Sequence, residues 1–393
     1  MTVFHSSASI ARRRSSVDRY LERRQFYPFS VAAEASPRLG MVVVIPCFDE
    51  PDIRPVLESL AACDAPGCDV EVLVVVNAPA DAGADTLARN NAAARCVRDH
   101  AAGGMADWMR GYAIEHNALP IAQAGVGLAR KLGMDEAAAR IATTTACAGV
   151  IACLDADCSV APNYLARLRE EFIEHPGCPG VSIYFEHPGL FDADNPLHSA
   201  MIDYELHLRV YVAGQQLAGF PYAFHTVGSA LACSAAAYVA QGGMNLRQGG
   251  EDFYFAQKLI IAGGYRALND TTVYPGVRQS ARVPFGTGPA IQRALEAGAG
   301  FETFAPQTYR DLATFCMALE EATPKTTLKF VAGLSMAFRQ FLDSQEFGQR
   351  LDEICANVAS DESFRRRVLR WFNAFRFLKF AQYASRSVYP KVP

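Results

Sequence analysis

The sequence predicts an α/β fold: a mixed, mainly parallel sheet with helices on both faces, followed by a helical C-terminal region. Residues 41–45 are a continuous β-branched run, the mark of a strand buried on both faces, and the valine-rich residues 70–76 read as a second buried strand. Helical patterning follows each run, so strand and helix alternate as in doubly wound sheets. A third apolar run, 151–154, ends in Asp155 and Asp157, at the place where open α/β sheets bind ligands.

The 393 residues suit one large domain or two. Half of them are hydrophobic, 20% are charged and the net charge is −4, an ordinary globular balance without the basic excess of a nucleic-acid binder. The charge is uneven. Arg12, Arg13, Arg14, Arg19, Arg23 and Arg24 crowd the start, and Arg365, Arg366, Arg367, Arg370, Arg376, Lys379, Arg386 and Lys391 crowd the end. Eleven cysteines without a Cys-x-x-Cys pair point to reduced thiols in a cytoplasm. No apolar stretch with a cleavage site marks a signal peptide, and Pro221, His225 and the Gly214-Gln215-Gln216 run interrupt the uncharged segment 210–240 before it could span a bilayer.

In chain order, residues 1–38 read as a basic extension whose patch at 17–29 docks on the main body. The first strand ends at Pro46-Cys47-Phe48-Asp49-Glu50-Pro51-Asp52, and a helix runs from there to about Ala62. The second strand stops at Asn77-Ala78-Pro79, with helical patterning over 85–94. Gly125, Gly127 and Gly133 flank Arg130-Lys131, which suits a loop that brings backbone and a cation to an anion; a helix start with solvated basic residues is the plainer alternative. A helix over 163–174 and a strand over 181–185 follow, the strand ending at Glu186-His187. His187, His207 and His225 are expected to be structural histidines.

In a strand Asp155 and Asp157 project to one face, and two such carboxylates call for a hard divalent cation; a surface turn is the alternative. Gly249-Gly250 ahead of Glu251-Asp252, with an apolar pattern at Phe253, Ala256, Leu259 and Ile260, places both acids at a helix N-terminus. There the dipole and free amides keep a carboxylate ionised and able to act as general base, or simply cap the helix. A strand over 265–268 leads into the Gly/Pro-rich segment 273–288, whose Arg278 and Arg282 match phosphate geometry. From about Pro306 the pattern is helical. Phe364, Val368, Trp371, Phe375 and Leu378 form one apolar face beside basic residues, which packs on the protein or lies on an anionic membrane.

Taken together and in order, Val42–Pro51 (VVVIPCFDEP), the Leu-Asp-Ala-Asp of 154–157 and the Gly-Glu-Asp of 250–252 resemble the family 2 glycosyltransferases of the GT-A fold. The resemblance covers roughly residues 40–290 and implies a GT-A domain at 39–305, with a helical region at 306–393. It implies that Pro46, Cys47 and Glu50 hold the nucleoside, that Asn77 stands where the family has a base-contacting Asp, and that Ala129-Arg130-Lys131 matches the family's Ala-Arg-Asn element. Asp155 and Asp157 would bind Mg²⁺ or Mn²⁺ and the donor diphosphate, with Asp157 the principal metal ligand. Asp252 would be the base, Glu251 its alternate. The implied reaction moves a sugar, with inversion, from a nucleoside-diphosphate sugar to a carbohydrate or lipid-linked hydroxyl. Two features of the family are missing: every histidine precedes residue 226, and there is no Gln-x-x-Arg-Trp segment, so Arg278 and Arg282 are assigned the leaving-group contact by charge and position. A sugar-phosphate nucleotidyltransferase would carry a basic Gly-rich loop after the first strand, where Cys47 to Asp52 offers none. A non-catalytic peripheral membrane scaffold acting through the basic C-terminal helix is the reading from outside enzymology.

Overall fold

The computed structural model describes residues 7–144, 149–189, 192, 195–247, 249–277, 287–297 and 301–393. The chain divides into two compact units, residues 1–191 with 226–290, and residues 192–225 with 291–393.

In the first unit helix α1 (Ser7–Arg24) precedes strand β1 (Leu39–Cys47), helix α2 (Arg54–Ala61), strand β2 (Asp69–Pro79), helix α3 (Ala84–Gly103) and strand β3 (Met109–Leu119). Helix α4 (Val126–Ala142), strands β4 (Val150–Cys153) and β5 (Ser159–Val160), helix α5 (Tyr164–Glu174) and strand β6 (Gly180–Phe185) follow. After helix α6 (Pro196–Leu217) of the second unit, the first resumes with β7 (Leu231–Ser234), α7 (Ala235–Ala240), α8 (Glu251–Ala262) and β8 (Arg266–Tyr274). The eight strands form one sheet in the order β3-β2-β1-β4-β7-β6-β8-β5. Strands β3, β2, β1 and β4 are parallel neighbours, while β7 runs antiparallel to both β4 and β6. The carboxyl ends of β1, β2 and β4 therefore share one edge, with Val44 opposite Cys153 and Cys47 opposite Val76.

Helix α4 decides between the two expectations for residues 125–131: the helix start holds and the loop does not, though the basic residues are buried and not solvated. Its glycines serve close packing: a Cβ on Gly133 would come within 2.5 Å of a Val44 methyl and 2.9 Å of a Val75 methyl, so α4 lies directly on the sheet. Every residue of α4 except Val126 and Ala139 is buried, including Arg130, Lys131, Asp135, Glu136 and Arg140. Each charge meets a partner. Arg140 holds both Glu71 oxygens at 2.5 and 2.7 Å and the Ala33 carbonyl at 2.9 Å. Glu136 accepts the Ser30 and Val31 amides. Lys131 donates to Asp135 and to the Tyr20 hydroxyl, both at 2.8 Å. The segment before β1 thus covers α4, and the docking expected over 17–29 runs through Val17, Tyr20 and Leu21, all buried.

In the second unit, α6 is joined by α9 (Thr287–Ala297), which begins just before the division, and by α10 (Pro306–Glu320), α11 (Thr327–Ala332), α12 (Met336–Ser344), α13 (Phe347–Ala356), α14 (Asp361–Trp371) and α15 (Ala374–Ser387). The single amphipathic face expected through Phe375 and Leu378 is broken. Asn373 accepts the Phe375 and Arg376 amides and starts a new helix. Phe364, Val368 and Trp371 are buried as expected, but in α15 the buried aromatic positions are Phe377 and Phe380. They join an aromatic core in which ring centroids lie 4.4 Å apart for Phe338–Phe380 and 4.5 Å for Phe315–Phe372. His207, on α6, shares a hydrogen bond of 3.1 Å with the Thr303 hydroxyl, a structural contact. Among the described residues no helix is long and apolar enough to cross a membrane.

The Arg140–Glu71 pair gives a test of the covered helix. Arg140→Met leaves Glu71 buried without its cation, which should cost about 3–5 kcal/mol and lower the urea midpoint without changing the m-value.

Candidate active site

The edge shared by β1, β2 and β4 carries the first half of the site. β1 ends in Pro46-Cys47, and the Asn77 amide at the end of β2 donates to the Cys47 carbonyl at 3.1 Å and to that of Val75 at 3.3 Å. Asn90, fully buried in α3, ties this edge together: its Nδ2 donates to the Asn77 carbonyl at 2.9 Å and to Asn117 Oδ1 at 2.8 Å. Its Oδ1 accepts the Asp49 amide at 3.0 Å. Asp49 has a φ of 54°, a left-handed conformation uncommon outside glycine. Arg89 pairs with its carboxylate at 2.6 Å and helps hold the turn that delivers the buried Glu50. Sequence reasoning does not single out Asn90; its signal is an amide in the interior of a helix, where side chains of that type compete with the backbone.

Asp155 and Asp157 follow β4, but not as a continuing strand. β4 ends at Cys153, and the Cys158 amide closes a turn onto the Asp155 carbonyl at 3.1 Å. The alternation of side chains in a strand therefore does not govern where the two acids point. The turn is backed by Gly276, just beyond β8: a Cβ there would stand 2.8 Å from the Asp157 carbonyl oxygen and 3.2 Å from its Cβ. Only a glycine lets the chain pass so close. Arg278 and Arg282, two and six residues on, lie outside the described residues.

Arg130 of α4 joins this half to the second. One terminal nitrogen of its guanidinium pairs with Asp155 Oδ1 at 2.5 Å and the other with Glu251 at the start of α8. The Arg130 and Glu251 side chains are only 4% and 2% exposed, whereas Asp155 is 37% exposed. The guanidinium lies against Gly228, where a Cβ would stand 2.6 Å from Arg130 Cζ. Burial alone would lower the proton affinity of Arg130, but Asp155, Glu251 and Asp252 outweigh it and hold the charge. Lys131 turns away from this cluster, into the network with Tyr20 and Asp135.

Glu251 and Asp252 open α8 after Gly250, whose φ of 72° suits glycine. Asp252 Oδ1 accepts the Phe253 amide at 2.7 Å, and the Gly228 backbone is a second hydrogen-bond partner. A helix N-terminus is expected to keep both acids in the ordinary carboxylate range or below. Burial outweighs it: desolvation raises both pKa values, against the lowering influence of Arg130. Glu251 is enclosed with its cation, while Asp252 keeps part of its surface open.

Chemically, the cluster combines a half-open pair of aspartates at the edge of a sheet, a fixed cation and a part-open carboxylate with raised proton affinity. Oxygen donors alone suit a hard divalent ion. Asp155 commits one oxygen to Arg130 and remains partly exposed, which leaves carboxylate surface for such an ion; the residues present fit it.

Arg130→Ala should destabilise the protein in a pH-dependent way. Without the guanidinium, the folded-state pKa of Glu251 rises further above its unfolded value. The folded protein then binds more protons than the unfolded one between those two values, so stability falls as pH rises through that window. Chemical denaturation should therefore show a larger loss, relative to wild type, at pH 8 than at pH 5.

The family described as Glycosyl transferase family 2 matches residues 42–217. The S. aureus TarS 1-349 structure in complex with UDP-GlcNAc aligns over 86% of this chain and 91% of its own, with 12% identity and a TM-score of 0.43. The mannosyltransferase PcManGT from Pyrobaculum calidifontis, in complex with GDP-Man and Mn²⁺, aligns over 97% and 95%, with 15% identity and a TM-score of 0.41. No curated protein matches the chain in sequence. The family match runs from β1 to the end of α6 and includes Arg130, Asp155 and Asp157; over that segment the chain is similar to the family 2 glycosyltransferases.

Proposed function

We propose that the protein is a metal-dependent, inverting glycosyltransferase that moves a sugar from a nucleoside-diphosphate donor to the hydroxyl of a carbohydrate or lipid-linked acceptor. One observation carries the reading: a single buried guanidinium bonds both Asp155 after β4 and Glu251, the first acid of the pair that opens α8, with the charge of Asp252 also acting on it, so donor-side and acceptor-side carboxylates belong to one cluster. Pro46, Cys47, Glu50 and Asn77 form the nucleoside end. Asp157 and Asp155 would hold Mg²⁺ or Mn²⁺. When bound, the ion would neutralise charge on the departing diphosphate.

Asp252 takes the acceptor proton. It is the more open of the two acids of α8, and its raised proton affinity makes it a stronger base than an ordinary aspartate. Glu251 is held by Arg130 and serves to fix the start of the helix. As the acceptor oxygen loses its proton to Asp252 it attacks the anomeric carbon, and the bond to the diphosphate oxygen breaks on the opposite face. Arg278 and Arg282 are assigned the negative charge that grows on the leaving group. The described cysteines are free thiols, which favours a cytoplasmic setting. The exposed Arg366, Arg367 and Arg370 of α14 favour contact with an anionic membrane face.

Calorimetric titration with UDP and GDP in the presence of Mn²⁺ tests the donor site; binding of neither nucleotide would sink this reading. Asp157→Ala should weaken nucleotide binding by roughly tenfold or more, and Asp252→Asn should retain it while losing about 10²-fold or more in kcat. In the wild-type pH profile the acid limb should lie above the ordinary aspartate range near pH 4, because a base with raised pKa is deprotonated only at higher pH. Arg366, Arg367 and Arg370 can be changed together to Glu: sedimentation with anionic vesicles should fall, and unchanged sedimentation would rule out contact through that face.

A further inference from the structure

The N-terminal helix lies outside the matched family segment, yet one of its side chains touches both α4, which carries Arg130, and the segment that leads into α8. Tyr20, 7% exposed, donates its hydroxyl to Asp135 Oδ1 of α4 at 2.7 Å and accepts from Lys131 Nζ at 2.8 Å. Tyr238 of α7 donates to the same Asp135 oxygen at 2.5 Å. Lys131 is the neighbour of Arg130, so Tyr20 fixes the helical turn from which the guanidinium projects.

The second contact is with the segment between α7 and α8. A Cβ on Gly243, whose φ is 73°, would overlap the Tyr20 hydroxyl. From that point Gly243, Asn245 and Arg247 are each fastened. Lys258 of α8 donates to the Gly243 carbonyl at 3.3 Å and to Asn245 Oδ1 at 3.1 Å. The Arg247 guanidinium covers the Tyr254 ring with its centroid 4.0 Å away, and the Arg247 carbonyl lies so close to Gly127 of α4 that any Cβ there would overlap it. This segment leads to Gly250, Glu251 and Asp252. Its placement depends on three glycines that admit close neighbours or a left-handed backbone, and on the tyrosine that occupies the space beside one of them.

We propose that α1 is a working part of the active site, with Tyr20 a positioning residue that sets where the Gly243–Arg247 segment delivers Glu251 and Asp252. Tyr20 acts through that segment and through α4, without touching substrate. The inference rests on the reading of Asp252 as the base. A shift of about 1 Å in such a group lowers turnover by up to roughly 10²-fold, while the nucleoside end on β1 and β2, which Tyr20 does not touch, is left in place.

The test uses the full chain with Tyr20→Ala, the milder Tyr20→Phe, Gly243→Ala and the Tyr20→Ala/Gly243→Ala double variant, each measured for kcat, donor KM and backbone hydrogen exchange. Tyr20→Ala should lower kcat roughly tenfold or more and leave donor KM within about twofold. Exchange should accelerate in 241–247 while β1 and β2 keep their protection. Tyr20→Phe, which keeps the ring and loses the hydroxyl, should fall between Tyr20→Ala and wild type. The double variant should be no worse than the poorer single one, because both remove one contact. Unchanged exchange in 241–247 overturns the proposal whatever the activity does. So does an unchanged kcat, or a kcat loss that comes with deprotection of β1 and β2. If wild type transfers no sugar from any donor while Tyr20→Ala still loosens 241–247, the link from α1 to the segment stands and the glycosyl-transfer reading of this site fails.

Discussion

The arrangement depends on one buried cation. Arg130 is enclosed in a helix that lies flat on the sheet, and a guanidinium taken out of water is tolerable only when its charge is matched on the spot. Asp155 and Glu251 provide that match from well-separated points in the chain, with Asp252 adding field. The requirement runs both ways: Glu251 is as deeply buried as the arginine and could not stay ionised without it. Folding the core and assembling the cluster are therefore one event. The glycines at 228 and 276 belong to the same constraint, since each removes a side chain that would push a member of the cluster aside.

Much of this is legible in the sequence where physics is local. The strands at 41–45 and 70–76 stand out because runs dominated by valine and isoleucine suit a buried strand. The acids at 155, 157, 251 and 252 stand out because each pair follows directly on an apolar run or a glycine pair. Helix α4 is concealed because its charged residues suggest a solvated face and its glycines suggest a loop. Both signals have a different cause: the charges are paired internally under the N-terminal segment, and the glycines allow contact with Val44, Val75 and Arg247. Strand β3 escapes notice for a related reason. It is the terminal strand, and Arg110, Glu115 and His116 give it a polar character that buried-strand patterning does not register.

The Asp155–Asp157 pair shows the limit of periodicity. The alternation that a strand imposes ends at Cys153, and a turn closed by one amide decides the rest. Likewise, the aromatic spacing through 364–378 is continuous in the sequence, but Asn373 offers its side chain to two backbone amides and divides it into two helices. In each case a short-range hydrogen bond redirects a pattern that composition alone would extend. The acidic pair at the start of α8 adds a third instance, in which tertiary burial overrides the influence of a helix end on proton affinity.

The turn at Asp49 has a consequence of another kind. Its left-handed backbone is held by Asn90 and Arg89, groups that belong to the protein and need no ligand. A flexible loop at that place would have to surrender its conformational freedom each time a nucleotide arrived, and the affinity would fall accordingly. Here the freedom is surrendered once, during folding, and the strain of about 1–3 kcal/mol that such a backbone stores is borne by the stability of the fold. On the proposed reading the rim of the sheet would act as a preformed receptor: the entropy of ordering it would be absent from the binding equilibrium, and recognition there would be governed by fit and not by closure.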